Sequence, residues 1–299
     1  MTFSIVIPTK NRPKELTAMF NSIIEQTRLP NQVIIIDQSK SENLVKTTIE
    51  SLAKETSIIL KYIHDEGIKG LVQAKAASLK FNECDVISFF DDDIVLEFNY
   101  LETIEKALVS SPNICGVNGV ILNIPSSTFF KRRLFSLTHF GLFKDLRQNV
   151  LLSIDKNSFE PIPVNVLSGG LSTWRREVFE NVSFDTKNMF HAYEDKEFSI
   201  RVGRVFPNQM YIVPAAKLYH YHSSGNRQSL LKRTMTDVVE VIMLFKKNGD
   251  FSYLGFDLLM LLFGLFLNSI LLSFKYLNIN FLMNYFKGIK EGVKRKIIG

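Results

Sequence analysis

Short, almost continuous apolar runs alternate over the first ninety residues with longer segments in which apolar positions recur every three or four residues. Residues 3–7, 33–36, 58–63 and 86–90 are runs dominated by Ile, Val and Phe, a length and composition that predict buried strands. Between the first two, Leu16, Met19, Phe20, Ile23 and Ile24 fall at helical spacing. This predicts an amphipathic helix over 13–26, with Pro13 in its first turn. Leu44, Val45, Thr48, Ile49 and Leu52 share one face of a second helix over 41–55, and 71–81 reads as a third, behind a turn marked by Gly67 and Gly70. Regular strand–helix alternation predicts an α/β domain with a mostly parallel sheet.

Each predicted strand runs into polar residues. Thr9 follows the first, Asp37 and Ser39 the second, His64, Asp65 and Glu66 the third, and Asp91, Asp92 and Asp93 the fourth. In an open α/β sheet the carboxyl ends of the strands form the ligand crevice, so these side chains are predicted to gather there. Asp and Thr at such places also cap following helices, and a triple Asp can be a solvated acidic turn. Three adjacent carboxylates resist unpaired burial. Hard divalent cations take carboxylate oxygens, and Mg²⁺ usually shares its shell with substrate phosphates. A nucleotide diphosphate held through a metal is the sharper reading. The chain has no GxGxxG and no GxxxxGK[ST], which argues against dinucleotide-binding and P-loop sites.

The middle of the chain is less regular. Phe129, Phe130, Lys131, Arg132 and Arg133 form a basic-aromatic run that suits a flap, a membrane-facing loop or a plain surface insertion. A strand over 164–167 leads into the turn Ser168-Gly169-Gly170, and Trp174, Arg175, Arg176 and Phe179 are expected on a helix. A second acidic cluster, FHAYEDKE at 190–197, places Glu194 and Asp195 before a helix over 196–206. The helix dipole alone would favour acids there. A strand over 210–213 meets Pro214, and beyond it His220 and His222 share one face if 217–222 is extended.

The last third changes character. Residues 258–274 carry no charge, 276–286 form a second uncharged stretch, and Lys287, Lys290, Lys294, Arg295 and Lys296 follow. Seventeen uncharged residues, with Asn268, Ser269 and Ser273 polar among them, fall short of the roughly 20 that span a bilayer, so a monotopic helix pair on an anionic surface is the leading expectation. A buried helix, an oligomer interface and a two-pass span stay open. Over all 299 residues the net charge is +6, with 46% hydrophobic and 22% charged residues, which excludes global disorder. Cys84 and Cys115 lack metal-ligand spacing and read as buried thiols of a reducing compartment. The first residues, MTFSIVIPTKNRP, do not resemble a signal peptide. The basic residues are not interleaved on a stacking platform, so a nucleic-acid partner is not expected.

Together these stretches resemble a family 2 glycosyltransferase of the GT-A fold over residues 3–225: SIVIPTKNRP (4–13), VIIIDQS (33–39), GLVQAKA (70–76), ISFFDDDI (87–94), the Gly169 to Trp174 turn, YED (193–195) and YHYH (219–222). The resemblance implies an α/β, Rossmann-like mixed sheet flanked by helices, with a nucleotide-binding half over 1–122, an acceptor half over 123–225, and a hydrophobic helical extension over 226–299. It implies that Pro8, Thr9, Asn11, Arg12, Asp37, Ser39, Asp65, Gly70, Lys75, Asp91 and Asp92 surround the nucleotide, with Asp37 accepting a hydrogen bond from a uracil or thymine. Asp93, Asp91 and His222 would hold Mn²⁺ or Mg²⁺, and Gly169, Gly170 and Trp174 would lie toward the sugars. Asp195, or its neighbour Glu194, resembles the catalytic base. Ala76 stands where the family commonly carries Asn, and there is no QxxRW of processive members. A distributive, inverting enzyme is therefore implied, moving one sugar from a UDP- or dTDP-linked donor to a saccharide or lipid-linked acceptor in surface polysaccharide synthesis, on the cytoplasmic face of a membrane. A homo-oligomer is compatible with this. A nucleotidyltransferase would show a glycine-rich basic loop after the first strand, where PTKNRP stands; a non-catalytic scaffold would have no use for an intact DDD and YED.

Overall fold

In the computed structural model, which describes residues 1–40, 46–124, 129–147, 150–151, 154–221, 228–249 and 255–298, the first, second and fourth predicted strands are buried on both faces, while the third, at the sheet edge, is half-buried with Ile59 exposed. Strands β1 (Phe3–Thr9), β2 (Gln32–Asp37), β3 (Ile59–His64) and β4 (Val86–Phe90) form a parallel sheet in the order β3-β2-β1-β4. Ile5, Ile7, Val33 and Ile35 join one core cluster, while Val6, Ile34, Ile36, Ile87 and Phe89 join another. Odd and even positions thus both find apolar partners. That is why these strands read as continuous runs and not as alternating ones. Each fully buried aliphatic side chain contributes roughly 1.5–3 kcal/mol.

Helices α1 (Pro13–Ile24), α2 (Lys46–Lys54) and α3 (Leu71–Ser78) fill the predicted connections. α1 buries Leu16, Met19, Phe20 and Ile23, the face that its spacing predicted. The start of the second predicted helix, 41–45, lies outside the described residues.

Beyond β4 the sheet is no longer parallel. Strands β5 (Ile94–Leu96), β6 (Gly116–Ile121), β7 (Ile162–Val164), β8 (Leu171–Arg175) and β9 (Met210–His220), with α4 (Tyr100–Ser110) between β5 and β6, extend it in the order β4-β8-β6-β9-β5, with β7 also on β9. β8 runs antiparallel to both β4 and β6, β9 is parallel to β6, and β5 and β7 are antiparallel to β9. The mostly parallel sheet expected from strand–helix alternation is therefore mixed.

Three local expectations change as well. Trp174 lies on β8 and not on a helix; the helix α6 (Glu177–Asn181) begins after it. Pro214 does not end a strand, because β9 passes through it where the β6–β9 register shifts between Asn118 and Val120. The basic-aromatic run opens a helix, α5 (Phe129–Thr138).

The described chain forms two compact units: Met1–Ile124 with Leu146–Thr186 and Phe198–Asn226, and Pro125–Asp145 with Lys187–Glu197 and Arg227–Gly299. The first contains the sheet. The second is helical: α5, the first turn of α7 (Glu194–Val205), and α8 (Leu230–Asn248), α9 (Phe256–Lys275) and α10 (Asn280–Lys294). Within it α10 lies close against α8. A Cβ on Gly288 would stand 2.8 Å from the Cβ of Val238, and one on Gly292 2.8 Å from the Cδ1 of Ile242. Asp257, 3% exposed in the first turn of α9, accepts from the Leu142 amide at 2.9 Å. This is the acidic residue that interrupts the apolar pattern of the sequence, and it is satisfied at a helix amino end.

Candidate active site

The β1–β2–β3 register aligns Thr9 with Asp37 and Asp37 with His64, so the polar strand ends meet along one edge of the sheet. The Asp65 amide continues the row by donating to the Asp37 carbonyl at 3.0 Å. β4 ends beside them on Asp91, whose amide donates to the Gly170 carbonyl at 2.9 Å because β8 runs back along β4.

The three aspartates then diverge. Asp92 is 4% exposed and turns inward: one oxygen accepts from the Thr9 hydroxyl and the other from an Arg12 Nη1, both at 2.8 Å. The same nitrogen lies 3.5 Å from Asp93. Asp93, 5% exposed, accepts from His220 Nε2 at 2.9 Å, and that nitrogen stands 3.9 Å from Asp91. The His220 position follows from the sheet. Ile94 on β5 pairs with His220 on β9, and the Tyr221 amide donates to the Asp93 carbonyl at 2.8 Å.

Ligand atoms of Asp91, Asp93 and His220 all lie within 4.8 Å of one another, a donor set of two carboxylates and one imidazole that fits a divalent cation such as Mn²⁺ or Mg²⁺. Burial pushes the Asp92 carboxyl up to about 6 against the pull of Arg12 and Thr9. Burial also raises Asp91, with Asp93 adding to the shift and Lys75, His220 and Arg12 opposing it. Burial therefore disfavours the charged forms of both carboxyls, a cost that a bound cation offsets.

Gly169 and Gly170 lie against this cluster. The Lys75 ammonium, on a side chain 2% exposed, donates to the Gly169 carbonyl at 3.0 Å. A Cβ on Gly170 would stand 2.1 Å from Asp91 Oδ2, so no side chain fits while Asp91 keeps its place. Gly170→Ala is expected to turn Asp91 out of the cluster and weaken metal affinity by about tenfold or more, as loss of a supporting contact does. Metal titration of the folded variant, its fold checked by circular dichroism, reads this out.

A second pocket wall forms around Asp37. Its Oδ1 accepts from the Ser39 amide at 3.0 Å and the Ser39 hydroxyl at 2.5 Å, and its Oδ2 from the Tyr62 hydroxyl at 2.8 Å. His64 Nε2 lies 2.9 Å from the Ser39 carbonyl. Asp37 is 0% exposed, and its carboxylate orders the loop through Ser39 and Tyr62. Asn11, left-handed at φ 55°, a conformation Asn tolerates, donates its amide to the Ser39 hydroxyl at 2.8 Å. Gly70, at φ 86°, donates to the Gln38 side chain at 2.9 Å. Pro8 is buried within β1, and the exposed Asp65 accepts from the Gly67 amide at 2.8 Å.

Trp174, expected toward the sugars, is instead 2% exposed in the core, edge-on to Phe198 with ring centroids 5.3 Å apart. β-strand alternation, which the helical reading of this stretch missed, explains the difference. His222 lies outside the described residues, and His220 provides the imidazole. The alternation of the two histidines gave no partner in the sheet, and the β5–β9 pairing is what brings His220 to Asp93. His64 was among the strand-end residues expected at this edge, whereas Tyr62 was missed. The signal for Tyr62 was its two-residue spacing from His64 at the end of a strand.

In the second unit, Glu194 and Asp195 open α7. Glu194 is 7% exposed and Asp195 is half-buried. The segment before them is held by a residue that the sequence did not single out: Glu240 of α8 accepts from the amides of His191, Ala192 and Tyr193 at 3.0, 2.8 and 3.0 Å.

The profile of glycosyl transferase family 2 matches residues 4–183. Two curated relatives are both uncharacterized glycosyltransferases. One, from Haemophilus influenzae, is 26% identical over 111 residues, 37% of this chain and only 36% of the relative's length. The other, YwdF from Bacillus subtilis, is 26% identical over 233 residues, 77% of this chain and 78% of the relative. Among solved structures, S. aureus TarS 1–349 in complex with UDP-GlcNAc is similar with a TM-score of 0.65 at 14% identity, covering 98% of this chain and 81% of that one. The mannosyltransferase PcManGT from Pyrobaculum calidifontis, in complex with GDP-Man and Mn²⁺, gives 0.56 at 12% identity, covering 99% and 76%. These two likenesses establish the fold, a GT-A sheet with flanking helices. The profile match spans more than half of the chain and takes in Asp91 and Asp93 of the cluster described above; the protein is a glycosyltransferase of family 2.

Proposed function

We propose that the enzyme moves one sugar, by direct displacement with inversion, from a UDP- or dTDP-linked donor to a hydroxyl of a saccharide acceptor. The Asp91–Asp93–His220 cluster carries this reading, because it offers a cation site at the carboxyl edge of the sheet, where the nucleotide-binding residues gather. A Mn²⁺ or Mg²⁺ held there supplies neutralising charge for the departing diphosphate. Thr9 and Arg12 fix Asp92 and so set the turn that aims Asp91 and Asp93. Asn11, Ser39, Tyr62 and Gly70 form the nucleoside side, ordered by the buried Asp37. Lys75 holds Gly169, which keeps the Gly169–Gly170 turn against the cluster. Asp195 takes the proton of the acceptor hydroxyl as its oxygen bonds to the anomeric carbon and the carbon–phosphate oxygen bond breaks. The TarS complex with UDP-GlcNAc supports a UDP-linked donor, and the PcManGT complex supports Mn²⁺.

Calorimetry with UDP, dTDP, GDP and CMP, each with and without Mn²⁺, tests the reading. The expected result is metal-dependent binding of one diphosphate. Failure of every nucleotide to bind under any metal overturns it.

The helical unit supports membrane docking for a lipid-linked acceptor at a cytoplasmic membrane face. The helix Phe256–Lys275 is long and apolar enough to cross a membrane, with mean hydropathy 2.0, and only 17% of that stretch is buried. Phe274, Leu277, Ile279 and Phe286 are exposed, Leu277 by 93%. Lys275, Lys287, Lys290 and Lys294 lie on the same two helices, suited to anionic headgroups. Leu277→Glu with Phe274→Glu is expected to reduce co-sedimentation with phosphatidylglycerol vesicles by about tenfold, since each buried methylene contributes about 0.8 kcal/mol, while donor binding stays unchanged. Equal sedimentation of the variant and the parent overturns the docking reading.

A further inference from the structure

We propose that Glu240 is a positioning residue for the base, Asp195; the inference rests on the assignment of Asp195 made above. Glu240 sits in the middle of α8, 3% exposed, and its two oxygens take the amides of three consecutive residues, His191, Ala192 and Tyr193, which lead directly into α7. Hydrogen bonds to a charged acceptor are stronger and shorter than neutral ones, so this carboxylate fixes the backbone on the amino side of Asp195.

Two helical turns along the same face of α8, Lys247 pairs with Glu197 at 2.7 Å, and Glu197 is 2% exposed. The Lys247 ammonium also stands 5.9 Å from the Phe190 ring centroid. Helix α8 therefore holds residues 190–197 at both ends, with Asp195 between the two anchors. The first backbone bond of α7, from the Glu197 amide to the Tyr193 carbonyl at 2.9 Å, joins one anchored residue to the other. Asp195 lies half-buried in the first turn of this helix, its Oδ1 accepting from the Lys196 amide at 2.7 Å.

A proton acceptor must lie within hydrogen-bond reach of the hydroxyl it deprotonates. Glu240→Gln preserves shape but replaces one acceptor oxygen by an amide that faces backbone donors. The start of α7 is expected to shift, lowering kcat by about tenfold to a hundredfold, as displacement of a reacting group does, with the donor KM within about twofold.

The deciding experiment is a double-mutant cycle on the full chain, comparing Glu240→Gln, Asp195→Asn and the double variant in single-turnover transfer. Thermal melts confirm that each is folded. If Glu240 acts through Asp195, Glu240→Gln has less than about a twofold effect in the Asp195→Asn background. A full, additive loss in that background overturns the proposal and leaves the assignment of Asp195 intact. Full activity of Asp195→Asn alone overturns both. Glu240→Asp, which keeps the charge but retracts it by one methylene, serves where Glu240→Gln does not fold. It is expected to recover part of the lost kcat without a change in donor KM, and a drop in melting temperature with unchanged kcat counts against the proposal.

Discussion

Asp93→Asn is expected to lower transfer by about a thousandfold, the scale set by losing a preorganised charge at a developing anion. Asp93 is the member of the metal cluster with the least freedom. Its side chain is 2% exposed, His220 Nε2 lies 2.9 Å from one oxygen, and Arg12 lies 3.5 Å from the other. An amide of the same shape keeps the turn, because the backbone contact from the Tyr221 amide to the Asp93 carbonyl is untouched. What it removes is one negative charge from a group of three. Asp93 is among the causes that raise both Asp91 and Asp92, so its neutralisation relieves repulsion in the metal-free protein. The metal-free variant is thus expected to melt no lower than the parent, while Mn²⁺ ceases to raise its melting temperature. A bound ligand at a hundredfold excess over its Kd stabilises by about 2.7 kcal/mol, and that increment is what disappears. A variant that binds Mn²⁺ and transfers sugar like the parent would remove Asp93 from the cation site.

Much of this site was legible before any coordinates because parallel strands print their polar ends directly into the sequence. The Ile, Val and Phe runs ending at Thr9, Asp37, His64 and Phe90 are local signals, and the register of β1, β2 and β3 brings their ends together without further information. Antiparallel pairing of distant segments leaves no such trace. β9 pairs with β5, a strand more than a hundred residues earlier, and only that pairing brings His220 beside Asp93.

Trp174 illustrates the same limit. A stretch read as helical lies on β8, and the indole packs on Phe198 and over Gly116, whose absent side chain makes the room. Glu240 was invisible for a different reason. A single acid on an amphipathic helix reads as a solvated position, and only the convergence of three amides from 47 to 49 residues away shows that it is buried. Asp37 was found by its motif, but a motif names a residue without saying that Ser39 and Tyr62 donate to its oxygens.

Asp195→Asn separates the two acids that the sequence left together. A positioned general base contributes about a hundredfold to ten-thousandfold, so kcat is expected to fall within that range. Nucleotide affinity with Mn²⁺ should stay within about twofold, as expected when the interaction lost is one made only in the transition state. Glu194→Gln, by contrast, is expected to change kcat by less than about tenfold. The physical distinction is access. Glu194 is 7% exposed, whereas Asp195, half-buried in the first turn of α7, can meet an incoming hydroxyl. The amino end of a helix favours negative charge at both positions, so the dipole does not choose between them. Transfer measured by nucleotide release with acceptor present, set beside calorimetric binding of the nucleotide, separates chemistry from binding. If Glu194→Gln shows the large loss and Asp195→Asn the small one, the base is Glu194, reached through a movement of the α7 amino end. The grip of Glu240 on His191, Ala192 and Tyr193 would then oppose catalysis, and its removal would raise kcat.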